Sequence, residues 1–279
     1  MRADGKRLKH CDPMYTVAGH IMRQRSDAMN MITIDIPCEP MQRYINAARK
    51  EGRHISHMAL IISAYLRTMA KHPFLNRFLV NCKAYSRNEI KIGMVVMKSG
   101  QDDATMSKIA LEITDTIDDV NRKINEYVEF NRTTVGNNST EKIISTLLSI
   151  PGLLRIGVPI LMWLDKHGLL PKAIIDASPF HASLGITNLA SIKTNHIYHH
   201  CYNFGTTSVF MAMGNAREVP RRHRGEIVFE KCMPIGVVMD ERICSGHDFA
   251  IAFRYFSKMM EDPTLLETPP EEVVTDPAL

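Results

Sequence analysis

Between Ile143 and Leu164 the chain reads IISTLLSIPGLLRIGVPILMWL, 22 residues dominated by apolar side chains. A helix of that length reaches across the hydrocarbon core of a bilayer, so this stretch decides first which solvent the chain folds in. Its interior argues against a span. Pro151, Gly152, Gly157 and Pro159 interrupt the run, and Arg155 near its middle would cost about 2.5–3.5 kcal/mol at the centre of a membrane. Short helices, buried or lining a tunnel, satisfy these residues best, and peripheral contact with a membrane surface is the second reading. A tunnel of this kind would accommodate an acyl chain.

The remainder has the composition of an ordinary globular protein, 45% apolar and 23% charged over 279 residues. The formal charge is +4, and the segment EDPTLLETPPEEVVTD at 261–276 makes an acidic C-terminal tail (about 262–279), leaving the body more basic. No basic run is interleaved with aromatic residues, so a small anionic ligand is expected and nucleic acid is not. The six cysteines are scattered without a C-x-x-C pair, which argues against both a disulfide framework and a zinc ribbon. With no apolar core of signal-peptide length in the first twenty residues, a reducing, cytoplasmic setting is expected.

Period-2 and period-3.6 segments are mixed without strict alternation. MITIDIP sets Ile32, Ile34 and Ile36 against Thr33 and Asp35, the pattern of a half-buried strand. A helix follows, with Pro40 in its first turn, Met41, Tyr44, Ile45 and Ala48 on one face and Gly52 as its stop. Ser56 caps a second helix, apolar on most sides, that ends at Pro73. Strands are predicted at 78–85 and 90–97, joined by SRNE. A third helix uses Ile117, Val120, Ile124, Tyr127 and Val128, and GNNST after it reads as a loop. Further strands are predicted at 184–189, 207–213, 226–229 and 235–239, and a last helix from His247 to Met260. These elements predict a single α+β domain over 1–279, a two-layer sandwich with helices against a mixed β-sheet, carrying a divergent apolar segment at about 140–176.

Several stretches resemble one family in order. HIMRQRSDAMNMITIDIPCEPMQRYINAARKEGRHISHMALIISAYLRTMAKHPFLNRF is similar to the first half of the catalytic domain of dihydrolipoamide acyltransferases, the cores of 2-oxoacid dehydrogenase complexes. LGITNLASI resembles that family's S-N-L-G turn, DERICSG stands in place of its D-H-R-x-x-D-G signature, and MEDPTLLE resembles its end. ERICSG also resembles the H-x-x-x-D-G motif of chloramphenicol acetyltransferase, which shares the fold. The resemblance covers about 15–100 and 180–267. It implies a coenzyme A-dependent acyltransferase-like fold, a small-molecule acyl substrate, coenzyme A or acyl-coenzyme A as co-substrate, and a homotrimer with its site at the subunit boundary. The implied function is transfer of an acyl group between a coenzyme A thioester and an unknown acceptor, by a divergent stand-alone member.

Carried residue by residue, the resemblance puts Glu241 where the family has its histidine base, Thr187 at the oxyanion donor with Asn188 beside it, Ser245 at the motif aspartate and Gly246 at the retained glycine. Two signature residues are therefore replaced. A thiol near pKa 8.5 passes its proton to an ordinary Glu at a cost of roughly 5.7 kcal/mol, against about 2.7 for an ordinary His. Burial can raise a Glu enough to remove that deficit, while an ion pair with Arg23 or Arg25 would make Glu241 structural and a poor base. The run NHIYHHCYNFG offers His199 and His200 as substitute bases. A packed or interface role is the commoner fate of such histidines, and no metal is expected. His181 and His247 read as surface or turn residues. REVPRRHRGE reads as a solvated hairpin tip before it reads as a phosphate clamp. Fold does not guarantee chemistry, so the alternative is an inactive trimeric homologue acting as a ligand-binding or scaffolding subunit.

Overall fold

A computed structural model describes residues 2–97, 104–133, 145, 148–150 and 152–279. The first half contains β1 (Gly5–Arg7), α1 (Pro13–Ile21), β2 (Met29–Pro37), α2 (Cys38–Lys50), α3 (His57–Lys71), β3 (Arg77–Val80), β4 (Lys83–Arg87), β5 (Ile90–Met97), β6 (Ala104–Leu111) and α4 (Ile117–Thr133). The second half contains α5 (Leu153–His167), α6 (Lys172–Ala177), β7 (Leu184–Asn188), β8 (Val209–Met213), β9 (Arg217–His223), β10 (Glu226–Asp240) and α7 (Gly246–Glu261). The GNNST loop and the first residues of the long apolar run lie outside the described residues.

The main sheet runs β2-β10-β8-β7-β5-β6, with β9 paired to the outer part of β10, and β1-β4-β3 make a second, small sheet. Parallel pairs β5·β7 and β7·β8 sit among antiparallel ones, so the expected α+β sandwich with a mixed sheet is what the chain forms. One face of the main sheet carries Ile36, Ile92, Met94, Ile186, Met211, Ile235 and Val237 into a single core with α2, α3, α4 and α7. Helix α3 is apolar on nearly every side because it lies at the centre of that layer, its N-terminus capped by Ser56 accepting from Ala59 N–H at 3.1 Å. The acidic tail docks rather than floats: Arg77 grips Asp276 with two bonds of 2.6 Å, and Tyr44 and Arg53 hold Glu267.

Three predicted segments differ. The strand at 78–85 is two strands, β3 and β4, folded at Asn81 and Cys82, both with positive φ (49° and 57°), as a tight two-residue hairpin requires. The strands at 226–229 and 235–239 are one, because β10 runs unbroken for 15 residues from the hairpin with β9 into the sheet centre. The described part of the apolar run is not buried: α5 exposes Ile156, Ile160 and Trp163.

The sheet's other face is built from small residues. Across four strands, Thr33, Gly236, Ala212 and Thr187 form one row, and the irregular segment 193–207 lies over it. A Cβ on Gly236 would stand 2.3 Å from the Ile197 carbonyl oxygen, and one on Gly214 2.2 Å from the His196 nitrogen, so the segment can approach only because these two positions lack side chains. Gly236→Ala is expected to lift this segment and to destabilise the protein by about 1–3 kcal/mol, read as a lowered urea midpoint at unchanged slope.

Candidate active site

Strand β10 delivers Asp240 to the centre of the fold, and α7 begins six residues later at Gly246. Asp240 is fully buried. Arg242 grips both its oxygens at 2.7 Å, and Arg25 approaches at 3.3 Å. The Arg25 terminal nitrogens donate to the carbonyls of Tyr202, Gly205 and Leu79, and Arg242 donates to that of Met22. Burial pushes the Arg25 guanidinium below its usual range, with Asp240 opposing that shift. This knot of one carboxylate and two guanidiniums gathers the chain entering β2, the loop before β8, the end of β3 and the corner into α7.

Glu241 is not part of it. Arg25 pairs with the residue one position earlier, and Arg23 is exposed. The Glu241 N–H donates to the Ala28 carbonyl at 2.8 Å. Its side chain is half-buried and makes no ion pair or hydrogen bond among the described residues. Within one chain it is therefore neither enclosed nor clamped by a guanidinium.

Ser245 caps α7. Its Oγ accepts from Asp248 N–H at 3.0 Å while the Asp248 carboxylate accepts from Ser245 N–H at 3.2 Å, a reciprocal capping box. Nothing stands within 4 Å of a Cβ built on Gly246, so packing does not demand glycine there. Asn188 caps the turn after β7 by accepting from Ser191 N–H. Thr187 is half-buried, and its hydroxyl makes no hydrogen bond among the described residues, leaving it available to a ligand.

Thr187 and Glu241 do not meet within one chain. Thr187 lies level with Ala212 and Gly236. Asp240 is four residues further along β10, roughly 13 Å at strand rise, and two strands, about 9.5 Å, to the side. The imidazoles are nearer to Thr187. His199 lies flat on Phe210, ring centroids 4.0 Å apart, and Phe210 pairs with Gly185, two residues before Thr187. Its Nδ1 is engaged by the His200 carbonyl at 3.0 Å, and burial lowers its pKa below the ordinary value. His200 is exposed, stacked on His199 with centroids 5.0 Å apart.

The run NHIYHHCYNFG also holds His196, which was not expected to act as a base. Its Nε2 lies 3.0 Å from the Thr33 hydroxyl, which also contacts the Tyr198 hydroxyl at 2.5 Å, and its Nδ1 is buried without a partner. Alternation in MITIDIP placed Thr33 on the face away from the core, the one signal that could have suggested this meeting. His181, expected at the surface, is instead 2% exposed. Its Nδ1 is 2.8 Å from Ser178 Oγ and its Nε2 3.3 Å from Asp165, which Arg2 also holds at 2.7 Å. Asp165 and Arg2 are remote in sequence, which is why the site looked like a turn.

Among the described residues no group of three His, Cys, Asp or Glu side chains is arranged for a metal ion. All six cysteines are free, and burial pushes Cys201 up to about 12 and Cys244 higher still, so neither is a ready nucleophile. The β9–β10 hairpin turns at Arg224 and Gly225, both with positive φ, and is a solvated arm as expected. Arg217 and Arg221 spend charge on Asp35 and Glu230.

The family model for the 2-oxoacid dehydrogenases acyltransferase (catalytic domain) matches residues 182–268, the span that holds β7, β8, β10 and α7. Among solved structures, a probable dihydrolipoamide acetyltransferase from Listeria monocytogenes 4b F2365 aligns over 92% of this chain and 94% of its own, with TM-score 0.59 and 14% identity. The dihydrolipoamide acetyltransferase of Azotobacter vinelandii aligns over 91% and 90%, with TM-score 0.61 and 13% identity. A chloramphenicol acetyltransferase aligns over 92% and 98%, with TM-score 0.54 and 12% identity. The fold is the chloramphenicol acetyltransferase-like acyltransferase fold. No match is found among curated protein sequences.

In the corner DERICSG, Asp240 and Arg242 form the buried knot, while Glu241 and Ser245 take no part in it. Asp240→Asn removes the single carboxylate of a buried ion cluster and is expected to cost about 3–5 kcal/mol, whereas Glu241→Gln should leave the thermal midpoint within error. Acid adds a second expectation. Burial pushes the Asp165 carboxyl up, but the His181 contact and Arg2 together hold it down at about 2, so its stabilisation is present above about pH 3.9 and lost as pH falls further. Burial also depresses His181, so the unfolded chain takes up that proton first as pH drops below about 6.5. Both effects have one sign: the midpoint should fall steadily on acidification from about pH 6.5, and a flat profile down to about pH 4 would contradict the burial of His181.

Proposed function

We propose that this protein transfers an acyl group between a coenzyme A thioester and an acceptor, with Thr187 as the oxyanion donor and His199, in place of Glu241, as the base. The observation that carries this reading is the free Thr187 hydroxyl on the same sheet face as an imidazole-bearing segment, in an acyltransferase fold. A half-exposed carboxylate is a poor acceptor for a thiol proton. An imidazole recovers roughly 3 kcal/mol of that deficit, about a hundredfold in rate. The depressed pKa of His199 keeps it neutral at pH 7, as a base must be.

The Azotobacter vinelandii enzyme has been examined for a serine, a histidine and an asparagine in its catalytic mechanism, the last two four positions apart. Glu241 and Ser245 have that spacing here, with neither residue type kept. A second reading therefore has its own support: the helix-capping role of Ser245 and the unpaired Glu241 fit a ligand-binding or scaffolding subunit from which the chemistry has been lost.

Assembly supports a site shared between copies. A similar structure is the cubic core of the pyruvate dehydrogenase multienzyme complex, aligned over 91% of this chain at TM-score 0.60 and 12% identity. In this chain the hairpin arm leaves Ile227 and Phe229 two-thirds exposed, beside a cleft of about 1150 Å³ between the open edge of β2 and α7. A second copy seated there would cover both, and we propose the homotrimer on that ground. Phe229→Asp should convert a trimer to monomer in sedimentation. A wild-type monomer at micromolar concentration would remove the shared site.

The chemistry is tested by free-thiol release from acetyl- and longer-chain acyl-coenzyme A with candidate acceptors. His199→Ala should cost about a hundredfold or more and Glu241→Gln little, with activity falling on the acid side at a pH below about 6.5. Loss in Glu241→Gln alone would return the base to the carboxylate. Identical background rates in wild type and both variants would favour the non-catalytic reading.

A further inference from the structure

Helix α5 is attached along one stripe and bare elsewhere. Leu153, Gly157, Leu161 and Asp165, spaced by four, face the protein, and only Asp165 is fully buried. On another stripe Ile156, Ile160 and Trp163 are 64%, 51% and 54% exposed. Helix α1 repeats the pattern: Met14, Val17 and Ile21 share one side and are 70%, 50% and 75% exposed. Both helices border one cleft of about 570 Å³, lined by His20 and Arg23 at the end of α1 and by Met162, Trp163 and Lys166 of α5. The end of α1 and the C-terminal half of α5 are therefore neighbours on the surface.

Charge is sorted on this surface. The one carboxylate of α5, Asp165, is turned inward onto Arg2 and His181, while Arg155, Lys166 and His167 stay exposed. Arg23 and His20 add to the same rim. The 15 residues of α5 span about 22 Å, short of the roughly 30 Å hydrocarbon core, and among the described residues no helix is long and apolar enough to cross a membrane. A short helix with bare aliphatic residues, a tryptophan and exposed Arg155 and Lys166 with no exposed carboxylate of its own has the makeup of an element that lies in the plane of a bilayer, its apolar side chains at the acyl boundary and its cations among anionic headgroups.

We propose that α5 and α1 together dock this protein on an anionic lipid surface. Trp163 is the chain's single tryptophan, so its fluorescence reports the contact without labelling. On titration with phosphatidylglycerol/phosphatidylcholine vesicles its emission should shift to the blue and the protein should sediment with the vesicles, and added salt should reverse both. Arg155→Gln/Lys166→Gln should weaken partition about thirty-fold. Ile156→Glu/Ile160→Glu should abolish it, with unchanged circular dichroism showing that the fold survives. No partition at low salt, or equal partition into pure phosphatidylcholine that ignores the charge variants, would overturn the proposal. So would a blue shift that follows protein concentration without vesicles, since a second copy of the chain would then be the occupant.

Discussion

The buried Asp240 carboxylate, shared by Arg242 and Arg25, is the contact on which the rest of this architecture turns. Three charges out of water are tolerable only when their geometry is good and their spare donors are satisfied. Here the two guanidiniums donate to four carbonyls on three segments: the chain before β2, the end of β3 and two points of the loop before β8. The arrangement leaves those loops little freedom, because moving any of them strands a buried charge. A corner that is irregular in sequence is thereby held as firmly as the strands that flank it.

The knot also fixes what the second face of the sheet can be. With the loop before β8 anchored at Tyr202 and Gly205, the preceding residues must run back across β10 and β8. They can do so only where Gly236 and Gly214 leave room. That path lays His199 on Phe210 and His196 against Thr33. The imidazoles thus reach the Thr187 side of the sheet as a consequence of backbone anchoring, through stacking and two short polar contacts.

Much of the fold was legible because local signals and tertiary packing agree. The alternation of MITIDIP, the Ser56 cap and the glycine that ends α2 each specify an element without outside help. Strand β6 and the joining of β10 were not legible, since β6 mixes Thr, Ser and Lys with apolar residues and β10 begins in a solvated arm whose pattern changes on entering the sheet. The site was legible by type more than by partnership. DERICSG marked the corner between β10 and α7, but sequence could not say which of two adjacent acids Arg25 would choose, and that choice depends on strand alternation placing Asp240 inward. His181 failed for a related reason: its burial is set by Asp165 and Arg2, 16 and 179 positions away in the chain.

Adjacent residues at the end of β10 carry separate burdens. Asp240 answers to the fold, because two cations and three segments depend on it. At position 241 the fold uses only the backbone N–H, donated to the Ala28 carbonyl, and any side chain supplies that equally. Ser245 likewise serves α7 as a cap, a task that aspartate performs about as well. Substitution at 241 and 245 can therefore change the chemistry of the corner at small cost to stability, while substitution at 240 or 242 cannot. The corner's shape rests on the knot alone, and the proposed chemistry rests on the imidazoles that the glycine row brings to the Thr187 side of the sheet.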